Sequence, residues 1–237
     1  MHVVKELKNY GFTSVSIIRK DGSFYIKKEL ISDNPYYEKL FKNEIAVMKV
    51  LNHKNIVSLI EVDKEEKFFL LGYCELGDLK EYMNKNKLKF LKKRDYFTLK
   101  IMEGIEYIHS LNLVHNDLKL SNIFLAKSGK LKIGDFGLSA YENSDFFSDF
   151  PPYIFKGTYS LNRKSNNDKI SKKDDIYALG VIIFELYSFK DPAFNDLNKN
   201  LIEDDYIKNL FSDLISDSSL SISDIITDFK KHKKNIF

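Results

Sequence analysis

Residues 113–125 read LVHNDLKLSNIFL, a segment that sets a histidine, two asparagines, an aspartate, a lysine and a serine between apolar flanks. Burial of Leu113, Val114, Ile123, Phe124 and Leu125 would draw those polar groups in with them, and a buried polar group without a partner is costly. Any fold built around this stretch must supply hydrogen-bond partners or open a cleft there. A polar turn between a helix and a hairpin, capped by Asn and Asp, is the plainest reading. A second polar signal weighs against it. Thirteen residues after Asn122 the chain reads Asp135-Phe136-Gly137, directly behind the strand-like run LKIG.

The surroundings give these stretches a context. SVSIIRKDGSFYIKK is two β-favouring runs around Asp21-Gly22, a strong hairpin signal. NPYYEKLFKNEIAVMKVL repeats apolar residues at helical spacing, and VSLIEV and KFFLLGYC read as two further strands. Beyond Gly72 the chain turns helical. LKKRDYFTLKIMEGIEYIHSLN places Leu91, Phe97, Ile101, Ile105 and Ile108 on one face of a long core helix. NIFLAKSGKLKIGDFG predicts a hairpin turned at Ser128-Gly129, and KKDDIYALGVIIFELYSF is apolar nearly all round after an acidic start, as a buried helix is. DDYIKNLFSDLISD and LSISDIITDFKKH predict two shorter amphipathic helices, whereas ENSDFFSDFPPYIFKGT is long and without a period.

A length of 237 residues suits one large domain or two small lobes sharing a core. The near balance of charge, with a pI of about 8.6, leaves no nucleic-acid footprint. The single cysteine, Cys74, excludes an intramolecular disulfide and suggests a reducing compartment. The N-terminus has no signal-peptide core, and ALGVIIFELY carries a glutamate and is too short to span a bilayer. The expectation is a soluble intracellular protein of the cytoplasm or nucleus, without membrane or nucleic-acid partners.

His115-Asn116-Asp117-Leu118-Lys119-Leu120-Ser121-Asn122 matches the H-R-D-L-x-x-x-N loop at every specified position except the arginine, and Asp135-Phe136-Gly137 supplies D-F-G. From about Val15 to the helix ending near Phe229 the chain resembles the eukaryotic protein kinases. The resemblance implies an α+β, two-lobed fold: an N-lobe antiparallel sheet with one helix over about residues 1–72, a hinge at 73–77 and a mainly helical C-lobe over 78–237. It implies ATP-dependent phosphoryl transfer to serine or threonine of a protein substrate, with magnesium or manganese. Asp117 would be the base accepting the hydroxyl proton, Lys119 would support the transferred phosphate, and Asn122 and Asp135, hard oxygen donors, would hold the metal. FYIKK aligns with V-A-I-K, making Lys27 the phosphate-binding lysine and Glu44 its ion-pair partner. LLGYCELGDL resembles the hinge, with Leu71 as gatekeeper, Gly72, Tyr73 and Cys74 offering backbone groups to adenine, and Asp78 near the ribose. Val15 and Phe124 join the nucleotide-contacting set. Asp175 resembles the aspartate that anchors the catalytic loop, and Met48, His115 and Phe136 resemble members of the hydrophobic spine.

Four departures stand out. Where the pattern G-x-G-x-x-G-x-V should end at Val15, only Gly11 survives, out of register, which makes backbone approach to phosphate poorer. Tyr25 falls at the position of the small alanine that roofs adenine. KGTYSLNRK keeps Gly157 and Thr158 but lacks A-P-E, and SDSSLSISDII lacks the arginine that pairs with its glutamate. Asn116 replaces an arginine that meets a phosphate on the activation loop in the family, and an amide cannot form that charged fork. The local wording is most like the kinases of translation initiation factor 2, followed by NIMA-related and Wee-type kinases. Two functional classes follow: a minimal Ser/Thr kinase, favoured by the retained Lys27, Glu44, Asp117, Lys119, Asn122 and Asp135, and a pseudokinase acting as a binding or inhibitory module, favoured by the lost glycines and Tyr25. A small-molecule kinase of related fold is a weaker third reading, disfavoured by D-F-G, Lys119 and Gly157-Thr158.

Overall fold

The computed structural model describes residues 1–7, 11–150, 159, 169–193, 196–216 and 220–233. Gly157, Thr158, Pro151, Pro152 and Tyr153 lie outside them, as do Lys8 to Tyr10 and most of the stretch where A-P-E is missing.

The Asp21-Gly22 hairpin forms as its sequence predicts. Both residues have positive φ, 50° and 81°, the turn geometry whose twist matches paired strands. It joins β2 (Thr13–Lys20) to β3 (Ser23–Leu30), with Lys20 opposite Ser23. β1 (His2–Glu6) lies on the outer edge of β2, and β4 (Leu59–Val62) and β5 (Phe68–Gly72) complete a sheet of order β1-β2-β3-β5-β4. Every residue of β1 is exposed, so the strand carries no buried alternation that a sequence reading would detect. The helix α1 (Pro35–Val50) crosses this sheet. Asn34 caps it by accepting from the amide of Tyr36, Pro35 fills the first turn, and an extended Leu51 ends it. Its inner face buries Leu40, Phe41, Ile45, Val47 and Met48, and the Phe41 ring lies 5.1 Å from that of Phe69. Full burial of each such side chain favours the folded state by about 1.5–3 kcal/mol.

Past the sheet, α2 (Leu79–Lys85) and α3 (Lys87–Leu91) precede the long α4 (Arg94–Ser110). Phe97, Ile101, Ile105 and Ile108 are buried as expected. Leu91 is not: it ends α3 instead of starting α4, and it is exposed. Two short pairings frame the polar segment, β6 (Leu113–Val114) with β9 (Ala140–Tyr141) and β7 (Ile123–Leu125) with β8 (Leu131–Ile133). The buried helix α5 (Lys172–Ser188) starts at a capping box made by Ser171 and Asp174. A Cβ on Gly180 would meet Leu214 at 3.0 Å, so glycine is what lets α6 (Asp205–Ile215) lie against α5. The amphipathic α7 (Ile222–His232) packs on α4. The result is an antiparallel sheet with one helix above a helical lobe, as expected.

Candidate active site

The first site residue is a correction. Lys28, not Lys27, reaches Glu44, with Nζ 2.9 and 2.7 Å from the two carboxylate oxygens and 3.2 Å from Asp135 Oδ1. Lys27 points to the opposite face of β3, where it pairs with Glu29 at 2.7 Å and lies 4.7 Å from the Phe68 ring centre. Alternation along the strand makes the two lysines mutually exclusive on any one face. The same register corrects the reading of Tyr25. Ile26, two residues before Lys28, shares its face, while Tyr25 lies on the other side, opposite Ile18 and Gly72. Val15 is directly opposite Lys28 and therefore keeps its predicted cleft face. Burial works against the Lys28 charge, but the Asp135 and Glu44 carboxylates outweigh it and hold its pKa above the ordinary lysine value.

The polar segment 113–125 is tied down from α5. Asp175, fully buried, accepts from the amide of His115 (2.8 Å), the amide of Asn116 (2.9 Å) and His109 Nε2 (2.9 Å). Burial opposes the charge on Asp175, yet these donors hold its carboxyl below the usual range. The amide of Asp117 donates to His115 Nδ1, and His115 Nε2 donates to the carbonyl of Gly134 at 3.1 Å. The His115 ring also packs against Phe136 at 4.8 Å, and Met48, His115 and Phe136 are all buried. So held, Asp117 presents a carboxylate whose Oδ2 takes Lys119 Nζ at 2.7 Å and Asn122 Nδ2 at 3.0 Å. Asn122 Nδ2 also donates to the carbonyl of Asp117 at 2.8 Å.

Asn116 answers for its own presence. Its φ of 65° lies in the left-handed region, which asparagine tolerates better than most side chains. Its amide group donates to the carbonyl of Leu138 at 3.1 Å, linking the catalytic loop to the segment after D-F-G. Nearby, Asn43 of α1 donates to the carbonyl of Ser139 at 2.8 Å, and Ser139 Oγ donates to that of His115. These links were not read from the sequence, because asparagines in a helix and a turn look like solvated polar residues.

The hinge side is assembled by backbone. Leu71, opposite Ile26, is the penultimate residue of β5, Gly72, Tyr73 and Cys74 follow, and Gly77, with φ of 75°, turns the chain towards α2. Asp78 caps α2 by accepting from the amide of Glu81 at 2.9 Å and bridges to Phe124 of β7. Leu76 and Gly77 exchange hydrogen bonds with Leu125, which fastens the hinge to the same hairpin. Phe124 packs on Gly134, where a Cβ would come within 3.1 Å of its ring. Cys74 is buried, and burial pushes its thiol up to about 11, so it is no nucleophile.

The donor set suits a hard divalent cation. Asn122 has its nitrogen committed to Asp117, which leaves its oxygen as the amide ligand atom. Asp135 keeps an exposed carboxylate whose charge Lys28 favours, holding its pKa below the usual range. A φ of 63° at Asp135 sets that carboxylate at a backbone position rarely adopted without cause.

The chain matches the protein kinase domain model over residues 9–233. It is 31% identical over 190 residues to RGS domain-containing serine/threonine-protein kinase A of Dictyostelium discoideum, covering 78% of this chain and 16% of that protein. It is 32% identical over 198 residues to putative serine/threonine-protein kinase A of Trypanosoma brucei brucei, covering 78% of this chain and 46% of the relative. A NIMA-related kinase is also similar, serine/threonine-protein kinase Nek1 of Mus musculus, at 32% over 197 residues, 77% of this chain and 16% of that one. The chain thus spans less than half the length of these relatives. Among its described residues no helix is long and apolar enough to cross a membrane. With the family model matching residues 9–233, Lys28 paired to Glu44 and Asp135, and Asp117 bonded to Asn122, the chain belongs to the protein kinase family.

Proposed function

We propose that this chain is a catalytically competent kinase that transfers the γ-phosphoryl group of ATP to serine or threonine hydroxyls of a protein. The observation that carries this reading is the intact Glu44–Lys28–Asp135 relay, with distances of 2.7 and 3.2 Å, beside an Asp117 oriented by Lys119 and Asn122. Lys28, kept charged, would hold the α- and β-phosphates. Asp117 would accept the proton of the attacking hydroxyl, while Lys119, on Oδ2 of that carboxylate, is placed to follow the charge as it moves to the transferred group. Asn122 and Asp135 would hold magnesium, which when bound neutralises charge on the phosphates. The hinge backbone from Gly72 to Cys74, with Val15, Ile26, Leu71 and Phe124 around it, would receive adenine, and Asp78 the ribose. Hydroxyl specificity rests on Lys119 and on the names of the relatives.

A non-catalytic reading draws on one feature, the single glycine, Gly11, at the turn where the family has three. The deciding experiment is transfer from radiolabelled ATP to casein with magnesium or manganese, run beside Asp117→Asn. Label transferred by the wild type and not by the variant supports the enzyme; equal label in both would sink it, and none in either favours the binding module.

A further inference from the structure

The segment after D-F-G enters an aromatic cluster on the flank of α1. Phe147 and Phe150 are buried, 5% and 2% exposed, against Leu40 of α1, Val114 of β6 and Ala140 of β9. Their rings lie 5.5 Å apart, and Phe146 closes the group at 4.8 and 5.4 Å. From α1, Tyr36 reaches Phe150 at 5.5 Å, and Lys39 Nζ sits 5.1 Å over Phe146 and 4.9 Å over Phe150. Beside them, Tyr37 stacks flat on Phe12, at 4.6 Å and 3°, in the turn that replaces the glycine-rich loop. Leu40 and Glu44 are one helical turn apart on the same face of α1. A helix gripped at Leu40 is therefore gripped at Glu44.

We infer that this aromatic cluster positions α1, and through it the Glu44–Lys28 pair, in place of a phosphate on the segment after Gly137. The inference rests on the kinase reading and assigns its regulation: Phe147 and Phe150 are positioning residues, and the conformation they hold needs no modification. Charge agrees with this. The segment carries Glu142, Asp145 and Asp149, and three lysines among the described residues already face those carboxylates: Lys172 at 3.3 Å from Glu142, Lys169 at 3.9 Å from Asp145, Lys39 at 4.0 Å from Asp149. A phosphate on Ser144 or Ser148 would compete with those carboxylates, whereas the arginine that would receive it is Asn116, committed to Leu138. Phe12 extends the cluster to the nucleotide side, so one apolar group touches the loop over the nucleotide, α1 and the segment after D-F-G.

The test uses the full chain before and after phosphatase treatment, with transfer to casein, binding of a fluorescent ATP analogue with magnesium, and a reporter. The chain has no tryptophan, so Phe146→Trp gives a single emission that reads the cluster directly. Phosphatase should change transfer by less than about twofold, while Phe147→Ala/Phe150→Ala should lower kcat about tenfold or more and weaken nucleotide binding. Phe150→Leu should restore most of kcat, and the tryptophan emission of the reporter should shift to the red only in the double variant. Circular dichroism separates loss of the cluster from loss of the fold, and Lys39→Ala, on the exposed side, gives a milder second variant. A large loss on dephosphorylation that rephosphorylation restores overturns the inference, as does a folded double variant with wild-type nucleotide binding and unshifted emission. Should the wild type transfer no phosphate at all, the kinase reading fails alone, and nucleotide binding and the reporter still decide whether the cluster sets α1.

Discussion

The loop around Asp117 and the turn around Gly11 are built to different standards. Around Asp117, neighbouring groups are tied to more than one element: Asp175 takes three donors, His115 bonds at both nitrogens, and Asn116 reaches Leu138. Around Gly11 the ties among the described residues are backbone bonds and one ring stack. A Cβ there would meet nothing within 4 Å, and among the described residues the turn is fastened by the backbone bonds from Leu7 to Val15 and from Ile31 to Phe12 and by the Phe12–Tyr37 stack. Reacting groups must be held within a fraction of an ångström, whereas a phosphate cover tolerates looseness at the expense of affinity. The difference teaches where damage to the family pattern should appear: in nucleotide affinity, not in turnover.

The largest expected effect is at the rigid end. Asp117→Asn should reduce transfer by about a thousandfold, within the range for losing a positioned base. Nucleotide binding, measured with the fluorescent analogue, should stay within about threefold of wild type, since in the proposed mechanism the base would face the hydroxyl and not ATP. Equal losses in both would merge the two regions and break the comparison.

The two lysines sharpen it. Lys28→Met leaves Glu44, 2% exposed, without its ion-pair partner, and an uncompensated buried charge costs about 3–5 kcal/mol. Melting temperature, nucleotide binding and transfer should fall together in that variant and barely move in Lys27→Met. Matching behaviour of the two variants would show that the register of β3 is other than described.

A third prediction concerns acid. The folded carboxyl of Asp175 lies below its unfolded value, so its contribution to stability is fully present above that unfolded value, about 3.9. It is lost as pH falls through the lower, folded value. Asp175→Asn should therefore melt earlier near neutrality, by about 1–3 kcal/mol for the impaired hydrogen bonds, and show a shallower acid limb than wild type. Parallel acid limbs would remove Asp175 from the anchor. The smallest effect belongs to the loose region: Tyr25→Ala should change KM for ATP by less than about twofold, while Ile26→Phe, on the cleft face, raises it several-fold. A strong effect of Tyr25→Ala would return the tyrosine to the adenine side.

How much of this was legible beforehand follows the same divide. The loop around Asp117 could be read because its residues match the kinase pattern H-R-D-L-x-x-x-N at every specified position but one, with D-F-G following at the expected distance. Asp175 and the α1 glutamate were legible only through the family resemblance: α1 also carries Glu38, Lys39, Lys42 and Lys49, so Glu44 by itself reads as one more solvated charge. The lysine was missed because Lys27 and Lys28 are adjacent and composition does not choose between the faces of a strand. A signal was available in the hairpin: a two-residue turn at Asp21-Gly22 pairs Lys20 with Ser23, and counting outward sets Val15 opposite Lys28. Once Val15 is given a cleft face, Lys28 must share it. Nothing comparable announced β1, whose five residues are all exposed, or the Asn43 and Asn116 bonds, which depend on where distant carbonyls come to rest.

Cys74 gives the molecule a clock. It is the only thiol in the chain, it sits where the sheet passes into the helical lobe, and it is 8% exposed. A thiol reagent in excess reacts with it only during excursions that uncover this crossing point, so the labelling rate at fixed pH measures how often the two lobes part. Nucleotide bound against Gly72 to Cys74 should slow that rate, and each substitution acquires a second axis, the frequency of opening, read without adding any probe to the protein.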